Sequence, residues 1–375
     1  TAIINVLGTV QYDNSSSSEI DGEVTLTEDW INNSISTGLT ATSNGKVIFS
    51  GINQNIGGTN TTRFYDLEFL TSGSVKSTLI NMEVANSLNL TDAVLQTNSY
   101  YTHITNPSLS SLLWTNGYVE SNDLAGYLLR STNSTNSYAF PVGNFDLVNS
   151  LRAVEIDPTS SDSSVYGVRV SAENPSVVSG VSAAGSTSPF SVNDKELRLG
   201  ELNTYFFHNM YKFYGNSNAT AKVYFYDSDE TDYLYGSMAK WSSSENKWLD
   251  DYFSIRNSPL KPEFKGPDKV AVSKRVLTHE DDVYTLARQK ILAITSFTPN
   301  NDGFNDFFEI PGLEYYPNNK LEVYNRWGEL VYSASPYTND WDGTNRSNGL
   351  KLQSDMSQED TYFYILTLDE TTDPI

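Results

Sequence analysis

The sequence predicts an all-β protein, and two observations indicate it. The chain has 24 Tyr and 17 Phe among 375 residues, which favours strands, and abundant Ser, Thr and Asn, which favour turns. Long windows with apolar residues at i, i+3, i+4 and i+7 are scarce, whereas short alternating apolar and polar runs occur throughout. We predict a β-solenoid-like module over residues 1–138, a β-sandwich over 139–255, a Pro/Lys-rich linker over 256–290 and a β-domain over 291–375.

The first module contains short candidate strands at nearly regular spacing. They are Ile3–Val10, Gly22–Leu26, Lys46–Ser50, Phe64–Leu70, Lys76–Val84, Leu88–Leu90 and Ala93–Leu95. The turns between them include Asn14–Ser18, Ser43–Gly45 and Ile56–Asn60. Stacked coils of a parallel solenoid give this spacing, because each short strand buries one face against its neighbours. An ordinary β-sandwich gives similar spacing and is the alternative.

The second module shows longer alternating runs typical of a sandwich. They are Arg152–Ile156, Tyr166–Ser171, Tyr205–Tyr214, Ala221–Tyr226 and Tyr233–Trp241. Residues 227–230 and 242–246 are expected at polar hairpin tips. Phe140-Pro141-Val142-Gly143 is expected to begin this module, because proline holds its neighbour extended and glycine turns the chain.

The next segment differs in composition from both its neighbours. Residues 252–290 hold 8 of the 24 basic residues and only 5 acidic ones, with Pro259, Pro262 and Pro267 close together. We predict an extended linker, acting either as a stiff docking segment or as a plain solvated connector. Its last part, Thr278 to Lys290, has a helix-start pattern, since Thr278 precedes Asp281 by three residues.

The charge and the residue types exclude several classes of protein. Lys and Arg total 24 against 46 Asp and Glu, a net charge of −22, which opposes binding to nucleic acid and to anionic membranes. Cysteine is absent, so disulfides, thiolate metal sites and a cysteine nucleophile are excluded. No apolar run reaches the length of a membrane span, so no transmembrane segment is expected. Thr1 is interpreted as the start of a mature or trimmed chain.

The last eighty residues carry four ordered motifs. The first runs through Phe297, Thr298, Pro299, Asn300, Asn301, Asp302, Gly303, Phe304, Asn305 and Asp306. The others are Asn325-Arg326-Trp327-Gly328, Trp341-Asp342-Gly343 and Thr361-Tyr362-Phe363-Tyr364. Leu321–Asn325 and Glu329–Ser333 predict a hairpin in which Gly328 supplies a positive φ. Thr361–Leu368 alternates like a central strand with both faces occupied, and Trp341 is expected to cap one end of the core.

These motifs resemble the type B C-terminal sorting domain of proteins exported by the type IX secretion system of gliding, diderm bacteria. The resemblance implies an immunoglobulin-like sandwich that directs export across the outer membrane and retention at the cell surface. It implies two partners, the type IX translocon and an outer-membrane β-barrel of the PorP/SprF kind. It makes the motif residues, other than Asn301, Phe304 and Phe363, candidates for partner recognition, and some members of the family are gliding adhesins.

The chain departs from the family pattern at three places. Asp360 stands where glycine usually precedes Thr-Tyr-Phe-Tyr, and the loop from Asn345 to Glu359 is long. The family normally continues with a further glycine-led strand, whereas this sequence stops at Ile375. Either this strand is missing from this fragment or it lies beyond the ordered part; if the protein lacks it, an exposed sheet edge is expected to invite pairing with a partner chain.

A weaker resemblance covers part of the first module. Lys46–Gly51, Gln54, Ile56–Thr59 and Phe64–Leu67 are similar to a solenoid-type stretch in surface proteins of the same bacteria. In those proteins a Phe-Pro-Val-Gly segment often opens a β-sandwich, and residues 140–143 stand at the corresponding place.

Three candidate sites each have a structural alternative. Asp302, Asn305 and Asp306 supply oxygen ligands for a calcium ion, but Asn-Asp-Gly also forms turns unaided, and we favour the turn. Arg326 and Trp327 are either a recognition pair or, as we favour for Trp327, part of the core. Trp241 and Trp248 can stack on sugar rings, although core or hairpin packing is commoner.

No catalytic motif is present, so we expect no enzyme activity and no cofactor beyond that calcium candidate. His103, His208 and His279 lie in separate segments, and His279–Val283 lacks a second zinc ligand. Pairs of carboxylates for a glycosidase are explained as well by a solvated acidic surface. We expect a secreted cell-surface protein, an adhesin or a gliding-related protein, attached to the outer membrane. The alternative is a surface protein that binds or degrades polysaccharides.

Overall fold

A computed structural model describes residues 2–13, 20–34, 45–121, 125–177, 190–230, 235–257, 267–277, 282–292, 296–313, 316–344 and 361–368. The predicted all-β class is confirmed, with 49% strand and 3% helix. No helix in these ranges is long and apolar enough to cross a membrane. The chain divides into two compact units, residues 1–288 and residues 289–375, which are described separately.

The N-terminal part of the first unit is a parallel β-solenoid of about five turns, as predicted. One of its sheets contains β1 (Ala2–Val6), β3 (Gly22–Leu26), β5 (Lys46–Phe49), β7 (Thr62–Phe69), β9 (Met82–Thr91), β11 (Tyr101–Ile104), β12 (Leu112–Trp114) and β14 (Tyr127–Thr132). The other contains β2 (Val10–Tyr12), β4 (Trp30–Asn32), β6 (Asn53–Gly58), β8 (Val75–Thr78), β10 (Val94–Gln96) and β13 (Tyr118–Glu120).

The coils stack because equivalent positions carry equivalent side chains. Val24 pairs in register with Val47, and Val47 with Leu67, so that apolar side chains form buried columns along the stack. Polar positions repeat too. The Asn86 amide donates to Asp66 Oδ1 at 2.8 Å and the Asn106 amide donates to the Asn86 carbonyl at 3.0 Å, each one coil apart. The nearly regular spacing of short candidate strands therefore predicted the solenoid correctly.

The rest of the first unit is an antiparallel sandwich. Its first sheet continues from β14 through β17 (Ser164–Ser171), β19 (Phe207–Gly215), β25 (Asp282–Gln289), β21 (Ser237–Ser242) and β22 (Lys247–Asp250), with β18 (Leu199–Leu202) beside β25. Its second sheet contains β15 (Tyr138–Phe140), β16 (Val154–Pro158), β20 (Ala219–Phe225), β24 (Lys269–Ser273) and β23 (Tyr252–Asn257).

The solenoid and the sandwich are continuous rather than separate at residue 138. Strand β14 pairs in parallel with β11 on one side and antiparallel with β17 on the other. One apolar core extends from Leu26 in the solenoid to Leu286 in the sandwich. The segment after β15 also stays on the solenoid, because the Val119 N–H donates to the Pro141 carbonyl at 2.7 Å. A Cβ on Gly143 would lie 2.6 Å from Tyr118, so close approach, rather than a turn, requires this glycine.

The predicted linker over residues 256–290 is wrong for its described parts. Residues 269–273 and 282–289 are strands β24 and β25, paired with β20, β19 and β21. At least one of its basic residues, Lys269, has acidic partners in the sandwich. Lys269 contacts Asp227 at 3.1 Å, and it also pairs with Glu230. Residues 282–289 are strand rather than helix, while Thr278, Asp281 and the prolines at 259 and 262 lie outside the described residues.

Other predicted details divide between confirmation and correction. Lys76–Val84 is not one strand, since β8 ends at Thr78 and β9 begins at Met82, and the expected turn at residues 56–58 lies in β6. The hairpin tip at residues 242–246 is confirmed between β21 and β22. Trp241 and Trp248 face each other across that hairpin, buried, with ring centroids 5.5 Å apart, so they pack in the core as favoured.

A buried ion pair and a buried histidine meet inside the sandwich. The Arg152 guanidinium donates to Asp229 Oδ1 at 2.5 Å and lies over the rings of Phe206 and Tyr226. His208 on β19 has its Nε2 at 2.9 Å from the Arg152 carbonyl oxygen. Burial lowers the pKa of His208 from 6.5 to about 4, although the hydrogen bond that its ring donates to the Arg152 carbonyl opposes this shift. His208 is therefore neutral in the folded protein at neutral pH.

His208 makes the first unit sensitive to acid. The unfolded chain protonates this imidazole near its ordinary pKa, whereas the folded chain resists protonation down to about pH 4. The stability that neutral His208 contributes is complete above its ordinary pKa and is lost as pH falls, by about 3 kcal/mol at pH 4. We expect His208→Gln, which keeps a polar side chain, to reduce the difference between urea-unfolding free energies measured near neutral pH and near pH 4.

Asp251 titrates in the same window with the opposite sign and must be separated from this effect. Burial raises the pKa of Asp251 from 3.8 to about 7, so its contribution to stability falls as pH rises through that range. Comparison of His208→Gln with the unchanged chain cancels Asp251, which both contain. An identical pH slope in the two proteins would contradict the assignment to His208.

Candidate functional site

The second unit is a small sandwich-like domain built on a three-stranded antiparallel sheet. Its described strands are β26 (Lys320–Tyr324), β27 (Leu330–Ala334) and β28 (Phe363–Thr367), in the order β27-β26-β28. The segment from residue 296 to residue 313 packs on the inner face of this sheet, where the rings of Phe308 and Tyr364 lie 5.2 Å apart. The predicted hairpin between β26 and β27 is confirmed.

Three of the four sequence motifs meet in one aromatic cluster. The Trp341 ring lies 5.3 Å from Phe297 of the first motif and 5.2 Å from Tyr362 of the last. Trp341 is 2% exposed, and its indole N–H donates to the Thr344 carbonyl at 3.0 Å. Trp341 therefore lies in the core of this domain. Ring contacts in this cluster thus join the first, third and fourth motifs.

Gly343 allows the first and third motifs to touch. Its φ is +79°, a conformation that side chains other than glycine rarely adopt. A Cβ added to Gly343 would lie 3.5 Å from the Phe297 side chain and 3.5 Å from the Pro299 side chain. Asp342 supports the same turn, since its Oδ1 accepts the Thr344 N–H at 3.1 Å.

The second motif has a different position, because it forms the tip of the β26–β27 hairpin. Asn325 Oδ1 accepts the N–H groups of Trp327 and Glu329, both at 3.0 Å, and the Asn325 amide donates to Glu329 Oε2 at 2.8 Å. Gly328 has φ +81°, the positive value that was predicted. The backbone of the tip is therefore fixed by one asparagine and one glycine.

Trp327 is not in the core, so the favoured sequence interpretation is wrong. Its side chain is 69% exposed, and the Arg326 guanidinium lies 4.5 Å from the centre of its ring. The reason is geometric, because Trp327 lies within the tight turn after β26, where a side chain cannot reach the inner face. A stacked arginine and tryptophan on a rigid tip is the composition of an interaction hot spot.

The Asn300–Asp306 loop is held by its own carboxylates. Asp306 accepts the N–H groups of Asn301 at 2.6 Å and Gly303 at 2.8 Å, one with each oxygen. Asp302 accepts the Asn300 amide and the Phe304 N–H, both at 2.9 Å, and these bonds lower the pKa of Asp302. The Thr298 N–H closes the loop by donating to the Asn305 carbonyl at 2.7 Å.

This network supports the turn, and the calcium site at Asp302, Asn305 and Asp306 stays a prediction. Asn301, Gly303 and Asn305 have φ values of +61°, +87° and +52°, which asparagine and glycine tolerate best. Among the residues that the structure describes, no three His, Asp or Glu side chains form a group that could hold a metal ion.

Among the described residues, strand β28 lies at the edge of its sheet, whereas the alternation of residues 361–368 predicted a central strand. In the described part of the unit it pairs only with β26, and Phe363 and Ile365 are exposed on its outer side. Cross-strand register places Phe363 opposite Tyr324, and Tyr324 opposite Leu330. Its alternation reflects one buried face and one exposed apolar face. Asp360 and the loop from Asn345 to Glu359 lie outside the described residues.

Sequence reasoning missed several residues that hold this domain together. Tyr337 is buried, and its hydroxyl donates to the Phe308 carbonyl. Asn319 accepts the Tyr337 N–H at 2.8 Å and donates to the Tyr316 carbonyl at 2.8 Å. The alternation of Phe308 and Ile310 was a usable signal, whereas nothing local marks Asn319 as buried.

Comparison with known proteins identifies the class of this domain. Residues 291–374 match the family model described as CHU_C Type IX secretion signal domain. The resemblance inferred from the four motifs is therefore confirmed, and the chain carries a C-terminal sorting domain. The match implies export by the type IX secretion system and interaction with its translocon. No curated protein and no solved structure gives a significant match.

Proposed function

We propose that this chain is a cell-surface protein, retained at the outer membrane by its sorting domain, whose first unit acts as an adhesin or in gliding. The proposed partner at the membrane is a β-barrel of the PorP/SprF kind. The action is recognition rather than chemistry. The described histidines support this, since His208 is buried in the sandwich, whereas His103 lies in the solenoid against Ser131.

The observation that carries the proposal is the split among the four motifs. Three motifs each contribute an aromatic ring to the cluster around Trp341, while Arg326 and Trp327 lie on an exposed hairpin tip. Exposed Trp and Arg are frequent at the centres of protein interfaces, where each contributes strongly to affinity. Arg326 is one of only 4 basic residues among residues 291–375, which contain 14 acidic ones. A partner that binds this tip is therefore expected to offer hydrogen-bond acceptors to Arg326 and an apolar pocket to the Trp327 ring.

A tip variant tests the proposal. We expect the double substitution Arg326→Ser with Trp327→Ser to weaken binding to a purified PorP/SprF-like barrel by at least about ten-fold and to lower surface display. Residues 289–375 serve as the binding fragment, because β24 and β25 belong to the first unit. Phe304→Ser, which removes another exposed aromatic ring of the same unit, is the matched control. Equal binding by all three proteins would contradict a role for the tip.

The polysaccharide-binding alternative is favoured by a separate observation in the first unit. Four aromatic rings lie on the outer face of the long sheet, with Tyr127 5.0 Å from Tyr211, Tyr211 5.7 Å from Phe213, and Phe213 6.5 Å from Tyr101. Gly167 lies beneath them, since a Cβ there would be 2.6 Å from the Tyr211 ring. Phe213 is half exposed. A strip of tyrosine rings with polar tips fits the apolar face and hydroxyl rim of a sugar.

This alternative has its own test. A glycan array first identifies a neutral polysaccharide that the unchanged protein binds. In native gels that contain this polysaccharide, the unchanged protein is expected to migrate more slowly, and Tyr211→Ala and Phe213→Ala are each expected to abolish this retardation. Phe145→Ala removes an exposed ring elsewhere in the first unit and leaves retardation unchanged. Absence of any glycan signal for the unchanged protein would remove the alternative.

A further inference from the structure

A lysine and an aspartate lie in contact inside the sandwich, on two neighbouring strands. Lys240 of β21 stands opposite Tyr284 of β25, and Asp282 is two residues away on the same face of β25. Lys240 Nζ lies 2.9 Å from Asp282 Oδ2, and the two side chains are only 11% and 6% exposed. The ammonium also lies 5.7 Å from the centre of the Tyr284 ring. The paired strands hold the amine and the carboxyl group together.

A second buried carboxyl group is attached to the strand that carries Lys240. Asp251 follows β22, has no exposed surface, and is fixed to β21 because its N–H donates to the Met238 carbonyl at 2.8 Å. Its Oδ1 accepts the N–H groups of Lys274 at 3.2 Å and Arg275 at 2.7 Å. Its buried Oδ2 has no hydrogen-bond partner within the described ranges.

Asp251 is suited to exchanging protons. Burial raises its pKa to about 7, although the Arg275 N–H and the charge of Lys240 oppose this. Burial and the charge of Asp282 raise the pKa of Tyr284, and the charge of Asp251 adds to this effect. Near neutral pH this carboxyl group is present in both protonated and ionised forms.

Two physical arguments favour a covalent bond over a permanent ion pair here. Keeping opposite charges away from water carries a desolvation cost that a neutral amide made of the same atoms avoids. Groups held in contact by a rigid scaffold react as if at very high concentration. We propose that Lys240 and Asp282 become joined by an amide bond between Nζ and Cγ, with Asp251 as the proton-transfer group.

The reaction balances without any further reagent. A proton passes from the Lys240 ammonium to the Asp282 carboxylate, which gives a neutral amine and a neutral acid. Nζ then attacks Cγ and forms the new N–C bond. Asp251 accepts the proton lost by the nitrogen and returns it to the departing hydroxyl group. The C–O bond breaks, one water molecule leaves, and both charges are gone. Nothing is oxidised or reduced.

The sandwich contains a matched comparison on its other sheet. Lys222 of β20 lies 2.7 Å from Asp157 and 3.4 Å from Glu155. The Lys222 and Asp157 side chains are 27% and 25% exposed, so water stabilises their charges and the driving force for condensation is missing. We therefore expect a bond at Lys240 and none at Lys222.

Mass spectrometry of the unchanged, full-length protein is the primary test. We expect an intact mass lower than that of the sequence by one water molecule. Succinimide formation at an Asp-Gly step such as Asp302-Gly303 produces the same loss, so the site must be located by peptide mapping. The expected peptide is branched, joins Lys240 to Asp282, and is uncut by trypsin after Lys240. The proposal is overturned if the measured mass equals the mass calculated from the sequence, or if peptide mapping locates the water loss at another site.

Three variants then assign the roles. Lys240→Arg keeps the positive charge but has no comparable nucleophile, so its mass is that of its sequence. Asp251→Asn has nearly the same shape but cannot exchange the proton, so the branched peptide falls at least about ten-fold while circular dichroism shows an intact fold. Lys222→Arg retains the water loss. If Asp251→Asn yields as much branched peptide as the unchanged protein, the role given to Asp251 is overturned.

Discussion

Deletion of residues 297–375 is expected to leave the protein in the periplasm. The deletion removes all four motifs, the whole aromatic cluster around Trp341 and the exposed tip, so nothing of the matched sorting domain remains folded. The first unit has its own continuous core and is expected to stay folded. Cell fractionation and protease treatment of intact cells measure the outcome, with surface-accessible protein expected to fall to background.

The control for this deletion is a replacement. An unrelated sandwich of similar size, placed after residue 296, restores chain length and solubility without the tip or the motifs. We expect it to stay in the periplasm as the deleted chain does. Surface display of the replaced chain at the original level would show that the domain is only a stabilising cap.

Trp341→Ala is expected to have the largest effect of any single substitution in the second unit. The side chain is 2% exposed and contacts the rings of Phe297, Phe308, Tyr332 and Tyr362. Removing a buried tryptophan costs about 3–5 kcal/mol, which is most of the stability of a small domain. Hydrogen exchange on the full-length protein should show protection lost across β26 to β28 and retained in the solenoid.

Trp327→Ala is the matched control within the same unit. Its side chain is exposed, so the change in unfolding free energy should stay below about 0.5 kcal/mol. The two variants therefore separate folding from recognition. Both are expected to lower surface display, but only Trp341→Ala loses exchange protection. Equal protection in both variants would contradict the core position of Trp341.

The sequence contained enough information for the fold class, the solenoid and the sorting domain, because each depends on repeated local patterns. The in-register columns at Val24, Val47 and Leu67 are visible as a repeat, and the four motifs appear in a fixed order. The same kind of pattern was misread at residues 269–273. There Lys-Val-Ala-Val-Ser alternates as a strand, but nearby prolines and positive charge suggested solvent, and the acidic partners Asp227 and Glu230 are distant in sequence.

The candidate site shows where local reasoning stops. Trp327 and Trp341 both precede a glycine by one or two residues, yet one is exposed and the other buried. The difference comes from the turn that Asn325 and Gly328 set at the end of β26, and from the distant rings that surround Trp341. Burial of an individual side chain depends on these tertiary neighbours. The exposed tip could be recognised only once the hairpin was placed.

The antiparallel pairing of β17 with β14 has a consequence for self-assembly. A stack of parallel, in-register coils presents at its end an open row of amide and carbonyl groups, onto which a further coil from another molecule can polymerise as in a fibril. Here strand β17, which pairs with β14 at the end of the stack, runs antiparallel to it. The protein's own chain therefore covers β14 and blocks the addition of a further parallel coil to this sheet.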